Sequence, residues 1–492
     1  MNAPADLAGL ARAHAARAPE RTAFVLDDAT LTWGEYDAAV DACARGLRAL
    51  GLERGDRVAL QLPNVLEFPV AYLGALRAGL VAVPVGTGST TPELQHVLTD
   101  SGARALLRTS AGAEVPAARA LEHVVEGPAL DALLRTPGDP VEATTGGEDL
   151  ALVLYTSGTS GRPRGAMLSH RALLANLEQT SRIDPPVVRE DDVVLLVLPL
   201  FHVYGLNGAL GQVLRHGATG VLVERFDPVS TLAEVRRREV TALVGAPPMY
   251  VAWSMLPDVG DALSSVRLAL SGAAPLPAAV LHRVLDVTGH HVFEGYGLTE
   301  TAPVLCSTLM SEVAKADSIG RPVPGVEVRL LDERGRPVED GDPGELVVRG
   351  ANLFSGYWPD GAEGPDADGW FATGDVAYRD DDGDLHLVDR RRELVLVSGF
   401  NVYPREVEDV LLQHPAVREA AVLGVPHPYT GKSVKALVVR EDGARVGADD
   451  LIAHCARSLA RFKCPTAVSF VDALPHSATG KVSKGALRAA GA

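Results

Sequence analysis

The residues with the most chemistry in reach are the run Thr156-Ser157-Gly158-Thr159-Ser160-Gly161-Arg162-Pro163-Arg164-Gly165, launched from the apolar Leu152-Val153-Leu154-Tyr155. Glycines admit φ > 0 and let the backbone come close to a ligand. Successive N–H groups then form an anion-binding concavity, to which hydroxyls add donors and Arg162 and Arg164 add charge. That chemistry suits a polyphosphate. No Gly-Lys-Ser/Thr closes the run, so it is not a P-loop, and a polar surface turn is the competing reading for the loop taken alone.

Other constellations extend the case. Glu294-Gly295-Tyr296-Gly297-Leu298-Thr299-Glu300 combines a ring that could stack on a base with a hydroxyl and a carboxylate suited to phosphate and Mg²⁺. Trp370-Phe371-Ala372-Thr373-Gly374-Asp375 sets an acceptor-only carboxylate after a tight turn, which suits ribose hydroxyls, and Asp389-Arg390 follows. Each of these fits a structural turn or a surface ion pair equally well. Pro475-His476-Ser477-Ala478-Thr479-Gly480-Lys481 places one lysine on a Gly-hinged loop near the C-terminus, where a lysine is ordinarily solvated.

Short β-branched runs alternating with longer helical-period segments must position these residues. Arg57 to Leu62 precedes the helix-like Phe68 to Ala78, and Asp192 to Leu198 precedes Val203 to Arg215, which predicts parallel sheets covered by helices. Leu7, Leu10, Ala11 and His14 predict an amphipathic first helix rather than a signal peptide. From about Ile319 the texture turns to short strands broken by Gly, Pro and Asp, as in Glu327 to Leu331, Gly344 to Val348 and Asp384 to Val388, predicting a small, mostly antiparallel β subdomain. Asp380-Asp381-Asp382-Gly383-Asp384 lacks the distal Glu of a calcium loop and reads as a solvated turn. Beyond Arg390-Arg391-Arg392, a helix at Glu406 to Leu412 and strands at Ala420 to Val425 and Lys435 to Val439 predict an α+β domain.

Composition limits what this scaffold does. A formal charge of −17, from 46 basic and 63 acidic residues, argues against nucleic acid as the main partner. Four cysteines, Cys43, Cys306, Cys455 and Cys464, show neither a zinc-like nor a disulfide-like spacing, and a reducing cytoplasm is the simplest home. The aliphatic runs Leu80 to Val85 and Val193 to Leu200 are far short of the roughly 20 residues that span a bilayer. There is no G-x-S-x-G and no H-E-x-x-H, which weakens hydrolase and metalloprotease readings.

In this order the segments resemble the adenylate-forming superfamily of acyl-CoA synthetases, peptide-synthetase adenylation domains and luciferases. Further matches are Leu198-Pro199-Leu200-Phe201-His202-Val203-Tyr204-Gly205, Ser271-Gly272-Ala273-Ala274-Pro275-Leu276 and Ser398-Gly399-Phe400-Asn401-Val402-Tyr403-Pro404-Arg405-Glu406-Val407-Glu408. The last looks most like fatty-acyl and aryl-CoA ligases. Two departures stand out: Arg162 and Arg164 replace the usual lysines, and Val482-Ser483-Lys484-Gly485 stands where an arginine-rich ending is common.

The resemblance implies an α/β fold, with a large N-terminal domain (1–391, β subdomain from about 319) and a small mobile C-terminal domain (392–492) hinged at Arg392. It implies ATP, Mg²⁺, CoA and a small-molecule acid as ligands. Lys481 would bridge the carboxylate and the α-phosphate. Thr156, Ser157, Gly158, Thr159, Ser160 and Gly161, with Thr299, would hold phosphates, and Glu300 with Thr156 the Mg²⁺. Gly272, Ala273, Glu294, Gly295 and Tyr296 would border the adenine, and Asp375 and Arg390 the ribose. Ser398, Gly399 and Phe400 would face the thiol tunnel. His202, Tyr204, Gly208, Leu270, Ala273, Gly297, Val304 and Leu305 would border the acyl group, with His202 a catalytic candidate or a packed structural histidine.

Leu270 stands where ligases of the hydroxycinnamate type often carry a polar residue. That favours a medium- or long-chain fatty acid, with an aromatic or specialised acid second. A carrier protein or other acceptor in place of CoA, a different oxyanion, and an inactive nucleotide-binding scaffold remain the alternatives.

Overall fold

A computed structural model describes residues 6–109, 114–156, 163–390, 393, 395–397, 400–427, 431–476 and 482–489. The chain forms two compact units, one of residues 1–327 and 349–371, the other of residues 328–348 and 372–492.

The larger unit is built on two sheets. In the first, the strands Val292–Gly297, Leu268–Ser271, Ala242–Gly245, Val193–Leu196, Thr219–Leu222 and Thr22–Leu26 lie side by side in parallel. Ala29–Thr32 adds an antiparallel edge on one side, and Val304–Ser307 and Arg321–Pro322 do so on the other. The interior strands are continuous apolar runs, as two-sided burial under crossover helices requires, and all four residues of Ala242–Gly245 are buried. The second sheet has the order His123–Glu126, Ala105–Arg108, Arg57–Gln61, Val81–Pro84, Leu150–Thr156 and Arg164–Ser169. It is parallel apart from its last pair, an antiparallel hairpin.

The expected β-then-α texture is therefore present: Glu67–Arg77 and Ala8–Arg17 are helices. The segment expected as one helix from Val203 to Arg215 divides into a π-helical stretch, Tyr204–Leu210, and an α-helix, Gly211–His216. A buried side-chain bond accompanies this widening. Asn207 Nδ2 donates to Leu173 O at 3.1 Å and Ala302 O at 2.7 Å, drawing the segment toward two neighbouring backbones.

In the smaller unit the strands Val326–Leu331, Gly344–Gly350, Trp370–Arg379 and Leu385–Arg390 form a four-stranded sheet, whose first and third strands begin within the larger unit. Asp380 to Asp384 is the turn between the last two strands, with Asp380 Oδ1 accepting from the N–H groups of Asp382 and Asp384. The remainder is an α+β layer. Strands Phe400–Val402, Val395–Val397, Gly431–Arg440 and Val417–His427, with Ala467–Phe470 beside Gly431–Arg440, pack against the helices Pro404–Leu412 and Ala448–Cys455. Lys484, one of the residues departing from an arginine-rich ending, bonds Glu393 at 2.9 Å and Glu408 at 2.8 Å, so its charge is spent inside this unit. Among the described residues no helix is long and apolar enough to cross a membrane.

Candidate active site

Thr156 faces Arg164, and Tyr155 faces Gly165, across the antiparallel strands Leu150–Thr156 and Arg164–Ser169. Thr156 ends the first strand; Ser157, Gly158, Thr159, Ser160, Gly161 and Arg162 lie outside the described residues. Tyr155 steadies the strand end by donating to Asp100 Oδ2 at 2.6 Å. Arg164 is not loose: its guanidinium carbon lies 3.7 Å from the centre of the Tyr357 ring, and Nη1 donates to Glu363 Oε2 at 2.9 Å. Tyr357 in turn donates its hydroxyl to Glu300 Oε1 at 2.5 Å. Burial, and then the Glu300 charge, push the Tyr357 phenol above its ordinary pKa, so it stays a donor at neutral pH.

Glu300 sits on the single 3-10 turn Thr299–Thr301, between the strand Val292–Gly297 and its antiparallel partner Val304–Ser307. Buried amides hold this turn. Asn352 Nδ2 donates to Thr301 O at 2.8 Å. Asn176 clasps Val304 from both sides, Nδ2 to its carbonyl at 2.7 Å and Oδ1 from its N–H at 3.1 Å. Gln179 joins the two asparagines through bonds of 3.3 and 3.1 Å. Gly297 is obligatory at the foot of the turn, because a Cβ there would lie 1.7 Å from Pro303 O. The hard oxygen donors Glu300, Thr299 and Thr156 suit Mg²⁺ and phosphate, and only one Glu300 oxygen is taken up by Tyr357 among the described residues.

The Ser271–Leu276 segment is fixed from the same ribbon: Glu294, 7% exposed, accepts from Leu276 N–H at 2.9 Å, and its own N–H donates to Thr308 Oγ1 at 2.8 Å. Ala273 has φ = 69°. Gly272 and Gly208 form a slot for the buried Tyr204 ring, since a Cβ on either would come within 2.7 to 2.8 Å of it. Burial raises the Tyr204 pKa, so the phenol is neutral. His202 Nδ1 accepts from Tyr204 N–H at 3.3 Å, a local brace in front of the π-helical stretch.

Tyr204, Gly208, Leu270 and Val304, all expected near the acyl group, line one cavity. His202, Ala273, Gly297 and Leu305 are not among its lining residues. Thr180, Ile183, Val187, Gln212 and Ser307 do line it, and sequence reasoning missed them. The one signal for Gln212 was a lone amide within the apolar Ala209 to Leu214. Gly295 keeps its wall open: a Cβ there would meet nothing nearer than Cys306 O at 4.0 Å.

In the other unit Asp375, 5% exposed, stands opposite Arg390 across the pair Trp370–Arg379 and Leu385–Arg390. Phe400 opens the strand Phe400–Val402, while Lys481, Arg392, Ser398 and Gly399 lie outside the described residues.

The AMP-binding enzyme family matches residues 11–358, and the AMP-binding enzyme C-terminal domain matches residues 406–481. The chain belongs to this family. The AMP-binding enzyme is 40% identical over 476 residues to a feruloyl-CoA synthase of Amycolatopsis sp, covering 96% of each chain. It is 36% identical over 524 residues to a long-chain-fatty-acid–CoA ligase of Yersinia pestis, covering 96% of this chain and 92% of that protein. Among solved structures, ATP-bound MatB from Rhodopseudomonas palustris superposes with a TM-score of 0.89 at 33% identity over 98% of both chains. The anthranilate-CoA ligase AuaEII with anthranoyl-AMP gives 0.87 at 27% identity, over 99% of this chain and 98% of that one.

Proposed function

We propose that this acid–CoA ligase activates its acid at the ribbon Val292–Ser307 and passes it to CoA, using the residues assigned above. A carboxylate oxygen attacks the α-phosphorus of ATP, the bond to pyrophosphate breaks, and an acyl-adenylate forms. The thiol of CoA then attacks the acyl carbon, the thiol proton leaves, and AMP departs. Both first-step reactants are anions, so the site must offset their repulsion with preorganised donors and cations. Lys481 would do so at the carboxylate and α-phosphate, with the Thr156 to Gly161 run and Thr299 on the phosphates. Glu300 and Thr156 would hold Mg²⁺, which neutralises phosphate charge when bound. Glu294 would act on the adenine side through the main chain it fixes, and Asp375 and Arg390 would take the ribose. Ser398, Gly399 and Phe400 would line the thiol path after rotation of residues 392–492 about Arg392.

One observation carries this reading. A single ribbon supplies both the cavity wall, through Gly295, Val304 and Ser307, and the turn bearing Thr299 and Glu300. An acid seated in the cavity therefore shares its supporting element with the residues suited to phosphate. The apolar part of the lining accommodates the hydrocarbon of a fatty acid, and the curated relatives act on both long-chain fatty acids and feruloyl groups.

The test is pyrophosphate release, with and without CoA, across a panel of acids. Release that depends on the acid, and thioester that appears only with CoA, are expected. Lys481→Ala should abolish adenylate formation while sparing thioester formation from a supplied acyl-adenylate; equal loss of both half-reactions would refute the assigned role.

A further inference from the structure

The mostly apolar acyl cavity carries the polar residues Thr180, Gln212 and Ser307 in its lining. Gln212 is 2% exposed and lies in a helix whose neighbours Val213 and Leu214 are also buried. Its Nε2 donates to Thr180 Oγ1 at 2.7 Å, and its carbonyl oxygen Oε1 has no hydrogen-bond partner. Thr180 cannot supply the missing donor, because its hydroxyl hydrogen goes to the main-chain carbonyls of Asn176 at 2.8 Å and Leu177 at 3.1 Å. Both residues are part of the cavity lining.

A buried amide oxygen without a donor bears the full cost of losing its hydrogen bond to water. A ligand that supplies the donor recovers that cost. Turning the amide over exchanges the orphan oxygen for an orphan N–H, and a hydroxyl satisfies either one, since it both donates and accepts. An alkyl chain or an unsubstituted ring satisfies neither.

The remaining walls favour a flat group. The Tyr204 ring lines the cavity, and Gly295 adds no side chain to narrow it. The lining also comes from two kinds of element. Gly295 and Val304 belong to the ribbon that carries Glu300, whereas Thr180 and Gln212 come from the helices His170–Ser181 and Gly211–His216. A carboxylate directed toward the Glu300 ribbon therefore leaves the rest of the molecule to meet the walls that the helices supply.

We propose that Thr180 and Gln212 form a hydroxyl-reading subsite, and that the acid activated here is an aryl acid bearing a ring hydroxyl. This rests on the acid–CoA ligase reading.

The experiment compares kcat/KM for pyrophosphate release by the full chain with 3-phenylpropenoic acid, its 3- and 4-hydroxy analogues, octanoate and hexadecanoate. At least one hydroxy analogue should exceed the parent acid and both alkyl acids by about tenfold or more, since a site built to bond a hydroxyl rejects analogues lacking it. Gln212→Leu should bring the hydroxy-to-parent ratio to within about threefold, lowering the rate with the hydroxy acid more than the rate with the parent. Gln212→Met, of similar volume, repeats the test should the leucine variant fail to fold. A parent or alkyl acid used as well as the hydroxy analogues by the unaltered enzyme would overturn the proposal, and so would an unchanged ratio in a folded variant. CoA thioester from any acid of the panel leaves the ligase reading standing, so the two ideas fail separately.

Discussion

Glu300 owes its setting to groups far from it in sequence. Tyr357 holds one of its oxygens, and the Arg164 guanidinium stacks on that same ring. Tyr357→Phe keeps the stacked ring and deletes only the donor. If Glu300 holds Mg²⁺, the Mg²⁺ concentration for half-maximal pyrophosphate release should rise about tenfold or more, the usual cost of removing a hydrogen bond behind a metal ligand. The thermal midpoint should stay nearly unchanged. An unaltered Mg²⁺ dependence would make Tyr357 a structural brace alone. Tyr357 carried no signal in the sequence: it stands outside every motif, and only folding brings it to a glutamate 57 positions earlier.

The strands Arg57–Gln61 and Val193–Leu196 and the helix Glu67–Arg77 were legible at the level of elements, because short β-branched runs alternating with segments of helical period mark parallel strands and the helices between them. The lattice of Asn176, Gln179, Asn207 and Asn352 that clamps the turn was not, since an isolated amide in a helix gives no hint of its acceptor. The two ribbon glycines should behave differently. Gly297→Ala must displace Pro303 O and should destabilise the protein by about 3 kcal/mol, with loss of pyrophosphate release. Gly295→Ala meets no neighbour nearer than 4.0 Å and should leave the thermal midpoint in place while raising KM for the acid. Equal thermal stability of the two variants, measured by calorimetry, would show that the close approach at Gly297 is relieved cheaply.

For the whole molecule, buried histidines set the acid limit of stability. Burial, followed by the charges of Arg215 and His14, holds the His216 pKa down at about 4 against an ordinary 6.5, and burial also lowers His14 and His170. Each is neutral when folded and takes up a proton more readily when unfolded. Their contribution is therefore whole above about pH 6.5 and is lost as pH falls toward 4. Asp192 works at lower pH: burial opposes its charge, but bonds from Arg267 and Thr241 prevail and lower its pKa below 3.8. The thermal midpoint should thus fall between pH 7 and 5, before the carboxylates protonate, and His216→Phe should fall less steeply. A flat midpoint across that interval would contradict this account.

Which elements form, and which residue types line the turns, was decided locally, by the spacing of apolar, glycine and hydroxyl residues along the chain. Motif order was enough to point to nucleotide chemistry and to the family, because adenylation needs several separated groups that seldom recur together by chance. What the acyl cavity presents was decided only in three dimensions. Leu270, read alone, favoured a plain hydrocarbon, yet the fold places Thr180, Gln212 and Ser307 around the same space. A side chain's hydrogen-bond partners depend on packing across distant segments, so an unpartnered carbonyl such as Gln212 Oε1 exists only once the helices have met.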